Sequence, residues 1–360
     1  MTTTTTDRSE ILVERLFGAT IDALELYAVY LGAELGLYRA LDEHGALTAP
    51  ELAARAGIAE RYAREWLEQQ AVAGLLDVED AAAGAADRRY RLPADHARVL
   101  ASADDPAHDA PFAHMIAGNG GVIGRVADAS RTGGGVPYAD YGPAFRHGQG
   151  HINRPAFVHD LTTGWMDALP DVRARLLERG GRVADVGCGQ GFSAIAMARA
   201  FPRAHVDGFD ADAASIRDAR RHAAEAGVEG VAFVAGDATA VRDRGPYDLV
   251  LVLETLHDLA RPVEALAAIR ESLAEGGAAL VVDERVAESF TAPGDETERM
   301  MYGWSVTHCL PTQLVEEPSA ATGTVMRSET LQRYATEAGY RHVAVLPVPN
   351  DLFRLYRLDA

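Results

Sequence analysis

Residues 183–196 read VADVGCGQGFSAIA, an apolar run, then glycines at every second position, then small residues. That order is a buried strand, a loop whose backbone lies bare, and a helix. Gly187, Gly189 and Gly191 give GxGxG. The dinucleotide fingerprint GxGxxG needs a third Gly or Ala where the helix packs on the strand, and Phe192 stands there instead. Asp185 lies beside the loop, where a pyrophosphate would meet a fixed negative charge. A cationic ligand without phosphate reverses that sign. S-adenosylmethionine carries a sulfonium, an ammonium and one carboxylate, so an acid at the strand end suits its amino acid portion.

Working outward, the apolar runs RVADVG, HVDGFD, VAFVAGD, YDLVLVLE and AALVVDE recur after Gly181, separated by helix-like segments. Strands apolar on both faces and alternating with helices predict a parallel sheet covered on both sides. Asp210 closes the second strand about 20 residues beyond the loop, where ribose hydroxyls need an acceptor. Asp237 closes the third, in position to accept from an adenine amino group.

Upstream, Ile11–Leu41 has helical spacing, and LTAPELAARAGIAERYAREWLEQQAVAGLLDVED follows. Thr48 is placed to cap a short helix with Pro50 in its first turn, Gly57 breaks the run, and a second helix is expected over Ala59–Ala73. GLLDVED and RRYRLPA read as two strands, which completes a winged-helix plan. The expected domains are a winged-helix and dimerisation domain over 1–100, a helical linker and lid over 101–165, and an α/β, Rossmann-like domain over 166–360 with an insertion at 285–330.

Composition narrows the partners. Acidic residues number 53 against 34 Lys plus Arg, a formal charge of −19, which repels phosphate backbones and anionic lipid. Nucleic acid and membrane are therefore not expected. The threonine-rich start has no signal-peptide pattern, and no stretch of about 18 apolar residues stands out. With only Cys188 and Cys309, a reducing cytoplasm fits. The candidate recognition helix AERYAREWLEQQA sets Arg61 and Arg64 against Glu60, Glu65 and Glu68, the wrong charge for DNA.

The segments DVGCGQG, GFDADAASI, GDAT and YDLVLVLETLHDL resemble the class I S-adenosylmethionine-dependent methyltransferases, and the winged-helix segment resembles the dimerisation domain of small-molecule O-methyltransferases and related actinobacterial enzymes. The resemblance implies a mainly parallel seven-stranded sheet and a homodimer. It places Asp185, Gly187 and Gly189 around the methionine portion, Asp210 at the ribose, and Asp237 with Ala238 at the adenine. Gly191, Ala211 and Glu254 complete the expected cofactor set. LETLHDLARP resembles the LHDW segment whose His is the base in plant-type enzymes, with Leu259 in place of Trp. His257 is thus the candidate base for a hydroxyl acceptor and Glu284, next to Asp283, its orienting acid. In MMYGWSVTHCLP, Tyr302, Trp304 and His308 are candidate walls of the acceptor site, and no metal set is expected. S-adenosylhomocysteine would be the product. The alternatives are a winged-helix transcription regulator and a methyltransferase fold turned to a non-methylating reaction.

Overall fold

A computed structural model describes residues 7–360; the threonine tract of residues 1–6 lies outside them. The chain divides into two compact units, one comprising residues 1–118 and 143–155, the other 119–142 and 156–360. Residues 101–165 are thus shared between the two units rather than forming a piece of their own.

In the first unit, α1 (Arg8–Glu34) is followed by α2 (Leu37–His44), α3 (Ala49–Ala56) and α4 (Glu60–Val72). Thr48 and Glu51 form a reciprocal capping box at the start of α3, with Pro50 in the first turn, and Gly57 ends the helix at φ 67°. Strands β1 (Asp77–Val78) and β2 (Tyr90–Arg91) pair antiparallel as a short wing. They are much shorter than the runs that flank them, because the small-residue tip between them forms turns instead of extending the ladder. α5 (Ala94–Leu100) follows. Leu37, Leu41, Leu52, Trp66 and Leu67 pack into one core, and the Trp66 indole donates to the Ala28 carbonyl at 2.9 Å. Trp66 and Leu67 of α4 face inward, whereas Tyr62 is exposed.

α1 overturns one expectation. By length and composition it is apolar enough to cross a membrane. It reads as less apolar in sequence because five acids and two arginines are spread along it. Only Val29 and Gly32 of this helix are buried. Ile11, Val13, Leu16, Phe17, Leu24 and Leu31 lie exposed within this chain.

α6 (Pro111–Thr132) contains the boundary between the units, and α7 (Gly142–Ile152) with α8 (Arg154–Ala156) precedes a π-helical stretch, Phe157–Trp165. The second unit then alternates α9 (Pro170–Arg179), β3 (Gly181–Val186), α10 (Phe192–Ala200), β4 (Ala204–Asp210), α11 (Ala213–Glu225), β5 (Val231–Ala235), β6 (Tyr247–Leu253), α12 (Pro262–Glu271) and β7 (Leu273–Glu284). The insertion holds α13 (Glu296–Trp304), a π-helical turn Ser305–Cys309 and α14 (Leu310–Gln313); α15 (Ser328–Glu337), β8 (His342–Val345) and β9 (Phe353–Asp359) finish the chain. The seven strands run in the order β5-β4-β3-β6-β7-β9-β8. All neighbours are parallel except β9, which pairs antiparallel with both β7 and β8.

Both faces of the sheet are apolar. Leu249, Leu251, Leu280 and Val282 enter the layer completed by α9, α10, α11 and the π-helical stretch, while Val250, Val252, Ala279 and Val281 enter the layer under α12 and α15. A sheet sealed on both sides leaves its chemistry to the ends of its strands. One charge is nevertheless held within it. Asp207 of β4 is fully buried, with Arg182 at 2.6 Å and Arg244 at 3.2 Å, and it accepts from the Tyr247 hydroxyl at 3.0 Å. Asp207→Ala strands that hydroxyl and both cations, so we expect a loss of about 2 to 3 kcal/mol in urea denaturation. Arg244→Ala, which leaves Arg182 in place, should cost less than half as much; equal losses would contradict this account.

Candidate active site

The strand order reverses between β3 and β6, since the chain builds outward through β4 and β5 and then returns to the other side of β3. Ligands bind at such a switch point, beyond the carboxyl ends of the strands, and the glycine loop leaves β3 there. Gly187 has φ 76°, and a Cβ on it would come within 2.3 Å of the Thr255 side chain; a Cβ on Gly191, at φ 83°, would meet Ala219 and Phe233 at 2.8 Å. These two close the loop against its neighbours. Gly189, at φ 50°, faces open space, so its backbone is left bare.

The acids stand around that opening in different ways. Asp185, at the end of β3, is buried and accepts from the Ser193 hydroxyl at 2.5 Å. Burial pushes its carboxyl up to about 7, and the charge of Asp210 adds to the effect. Asp210 takes the Gly189 N–H at 2.8 Å and the Asp212 N–H at 2.8 Å; desolvation raises it to about 6. Asp212 itself caps α11. Ala211 and Asp237 are exposed, Ala238 half-buried. Asp237 accepts from the Thr239 hydroxyl at 2.6 Å and the Thr239 N–H at 2.8 Å, capping the turn Ala238–Asp243, and its carboxyl lies below the usual range, chiefly through Thr239. Glu254 follows β6 at φ 50°, a left-handed conformation that non-glycine residues adopt at a cost and that gathers at functional sites.

His257 lies in a short 3₁₀ turn, Leu256–Asp258, just past β6, and is almost fully buried. Its Nδ1 is 2.8 Å from Asp283 Oδ1 and 3.2 Å from Glu284 Oε2. The shorter contact thus goes to Asp283, with Glu284 second. On the other edge of the ring, Nε2 is 3.4 Å from Asp258 Oδ1. Burial alone would lower the imidazole, but Asp283, Glu284 and Asp258 together outweigh it and hold it well above its ordinary value. Burial raises Glu284 against the pull of His257. The Gln313 amide donates to the His257 carbonyl and accepts from the Gly323 N–H, tying the turn to the insertion.

Of the expected acceptor walls, His308 comes near this centre. It is buried, and desolvation drops it to about 4. Its ring meets Tyr141 edge-on at 4.6 Å between centroids. The Tyr141 hydroxyl donates to the Thr307 carbonyl at 2.8 Å, and the Asn119 amide to the Thr307 hydroxyl at 2.7 Å. Tyr302 is exposed beside Phe290, and Trp304 is half-buried. Asn119, Tyr141 and Gln313 went unread in sequence. Their one signal is that polar groups flank an apolar run. The expectation of no metal set also changes: His257, Asp258 and Cys309 bring donor atoms within 4.8 Å of one another, as do His257, Asp283 and Glu284. Residues 305–309, which supply Cys309, form a π-helical turn.

Two family models match the chain: a methyltransferase domain over residues 177–339 and an Rv2258c-like winged helix-turn-helix domain over 23–102. Over those stretches the chain is similar to a winged-helix domain followed by a methyltransferase domain. Curated relatives include the ubiquinone biosynthesis O-methyltransferases of Paracidovorax citrulli, 34% identical over 122 residues, and Ralstonia nicotianae, 37% over 121. Each alignment takes in 33% of this chain and 48% of the relative; the chain spans about half the length of the curated relatives it matches. Among solved structures, human N-acetylserotonin methyltransferase in complex with SAM superposes with TM-score 0.65 at 19% identity, covering 100% of both chains. The methyltransferase CalO1 of calicheamicin biosynthesis, SAH bound, gives 0.60 at 20%, covering 99% of this chain and 100% of its own. These likenesses extend the fold over the whole length.

The buried acid of the methyltransferase domain has a measurable signature. Asp185 is raised from 3.8 to about 7 in the folded chain, so the folded state holds its proton longer and stability falls as pH rises between those values. The penalty is absent below about pH 4 and complete above about pH 7. Asp185→Asn keeps an acceptor for Ser193 and removes the titration. We expect the variant to gain about 2 kcal/mol on the wild type between pH 5 and pH 8 in urea denaturation; parallel pH profiles would refute the assignment.

Proposed function

We propose that the chain transfers a methyl group from S-adenosylmethionine to a hydroxyl of a small molecule, releasing S-adenosylhomocysteine. The observation that carries this reading is the pairing of two buried acids with an open glycine. Asp185 and Asp210 gather negative charge next to Gly189, whose missing side chain leaves room for a ligand. A sulfonium and an ammonium offset such charge, and a dinucleotide phosphate would aggravate it. In this reading Asp185, Gly187, Gly189 and Gly191 hold the methionine portion, Asp210 and Ala211 the ribose, Asp237 and Ala238 the adenine, and Glu254 the edge of the pocket.

The hydroxyl must lose its proton as the methyl group arrives, and His257 receives it at Nε2. Asp283 supports this by fixing the Nδ1–H, with Glu284 as the second acid. The carboxylates that raise this imidazole stabilise the imidazolium formed on proton transfer, as in acid–histidine pairs generally. Relatives and structural neighbours named as O-methyltransferases agree with a hydroxyl acceptor. A buried, neutral His308 against Tyr141 gives the acceptor site an aromatic wall.

We further propose that a second copy of the chain covers α1. A 27-residue helix is about 40 Å long, enough for the roughly 800 Å² per partner that a specific interface needs. Its five acids against two arginines disfavour an anionic membrane. DNA is disfavoured too, because Arg61 and Arg64 of α4 are engaged by Glu65 and Glu60.

Two experiments test these readings. His257→Ala should lose about 10² to 10⁴ in labelled-methyl turnover on a panel of phenols and catechols, while calorimetric affinity for S-adenosylmethionine stays close to wild type. Undiminished turnover refutes the base, and no cofactor binding refutes the activity. In light scattering, the wild type should be a dimer and the double variant Phe17→Glu with Leu24→Glu a monomer with unchanged far-UV circular dichroism. A monomeric wild type that binds phosphatidylglycerol vesicles would assign α1 to a membrane instead.

A further inference from the structure

We infer that His257, Asp258 and Cys309 bind a soft divalent cation of the zinc class, and that its binding stops the proposed reaction by taking the imidazole lone pair. The inference rests on the reading of His257 as base and adds a ligand to it.

Three observations lead there. First, the imidazole is set up as a metal ligand. Its Nδ1 faces Asp283 Oδ1 at 2.8 Å, the carboxylate–histidine contact that fixes the tautomer and ring direction of zinc-binding histidines. That leaves Nε2 turned toward Asp258 Oδ1 at 3.4 Å.

Second, the donor set is mixed and assembled. Nitrogen, carboxylate oxygen and sulfur lie within 4.8 Å of one another. They come from two separate segments, the turn after β6 and the π-helical turn Ser305–Cys309, and Gln313 fastens the insertion to the first turn through the His257 carbonyl. Three protein ligands, with water as the fourth, are the pattern of an open zinc site. A thiolate selects zinc over magnesium or calcium.

Third, buried negative charge is in excess. Asp258 Oδ1, Asp283 Oδ2 and Glu284 Oε2 are all shielded from solvent without a well-aligned hydrogen bond among the described residues, and the first and third have the same His257 ring as their ion-pair contact, at 3.4 and 3.2 Å. A single imidazole offsets three carboxylates incompletely, and a divalent cation supplies the balance. On binding, zinc forms bonds to sulfur and to Nε2; the thiol proton, and any proton on Nε2, leave to solvent. The nitrogen that would accept the substrate proton is then occupied.

The test uses the full chain, stripped of metal with EDTA. Calorimetry with zinc chloride in two buffers of different ionisation enthalpy should give one site per chain with proton release, while magnesium chloride gives no heat. Cobalt chloride should produce a near-ultraviolet thiolate-to-cobalt band, which the many histidines cannot generate. Cys309→Ser should lose the band, and Cys188→Ser should keep it. Asp283→Asn should weaken zinc about 10- to 100-fold. Far-UV circular dichroism and S-adenosylmethionine titration verify that each variant is folded. Zinc should also inhibit methyl transfer, with recovery on EDTA. Absence of the cobalt band, a band that survives Cys309→Ser, or activity indifferent to zinc at saturation overturns the inference. S-adenosylmethionine binding separates the two levels. If it persists without zinc binding, only the metal site falls; if it is absent, the proposed reaction falls and the cobalt band still reports on the metal site.

Discussion

Burial of both faces of the parallel sheet is the constraint from which the rest follows. Strands such as β6, whose residues Leu249 to Leu253 enter apolar layers alternately above and below, have no surface over that length for a polar group. Chemistry is confined to the residues at which each strand ends. Asp185, Asp210, Glu254, His257, Asp283 and Glu284 all stand at or just beyond the ends of β3, β4, β6 and β7. The exception, Asp207, lies within β4 and is neutralised by two arginines and a tyrosine. A buried carboxylate inside the sheet is paired with arginines, whereas Asp185 and Asp210 at its edge have only hydroxyl and backbone donors.

That division explains what could be read from the sequence. Glycine spacing and strand-terminal acids are local signals, so the loop, Asp185 and Asp210 could be found from residue order alone. Thr48, Pro50 and Gly57 delimit α3 for the same reason, because caps act within one turn. The insertion was not legible. A π-helical turn such as Ser305–Cys309 has a wider period than the 3.6 residues that pattern reading assumes, so which residues of the insertion come near His257 could not be read from their spacing. Asn119 and Tyr141 reach Thr307 from more than 160 positions away, and no local spacing encodes such a contact. The choice between Asp283 and Glu284 was equally beyond the sequence, since both adjoin the end of β7 and only the ring position of His257 distinguishes 2.8 from 3.2 Å.

The two buried histidines show how far position governs chemistry. His257 and His308 lose about the same hydration, and desolvation alone would make both poor proton acceptors. Asp283, Glu284 and Asp258 reverse the sign at His257. At His308 the attraction of Asp258 is opposed by the charge of His257, so burial prevails. One imidazole favours the cationic form and its neighbour the neutral form, in one small region of the same unit. The first binds a proton more tightly than a free imidazole does, the second less tightly.

The winged helix shows the complementary case, in which a fold is kept while the chemistry usually linked to it is lacking. α4 occupies the place of a recognition helix, yet its arginines are paired with glutamates of the same helix and its apolar side turns into the core. What the unit exposes instead is the apolar length of α1. Isolated apolar side chains on a surface need no explanation, but a row of them along one helix leaves more hydrocarbon in water than a stable chain normally tolerates. Charge removes polyanions from the set of surfaces that could cover it. An identical helix, apolar over the same length, would bury the row in the proposed dimer.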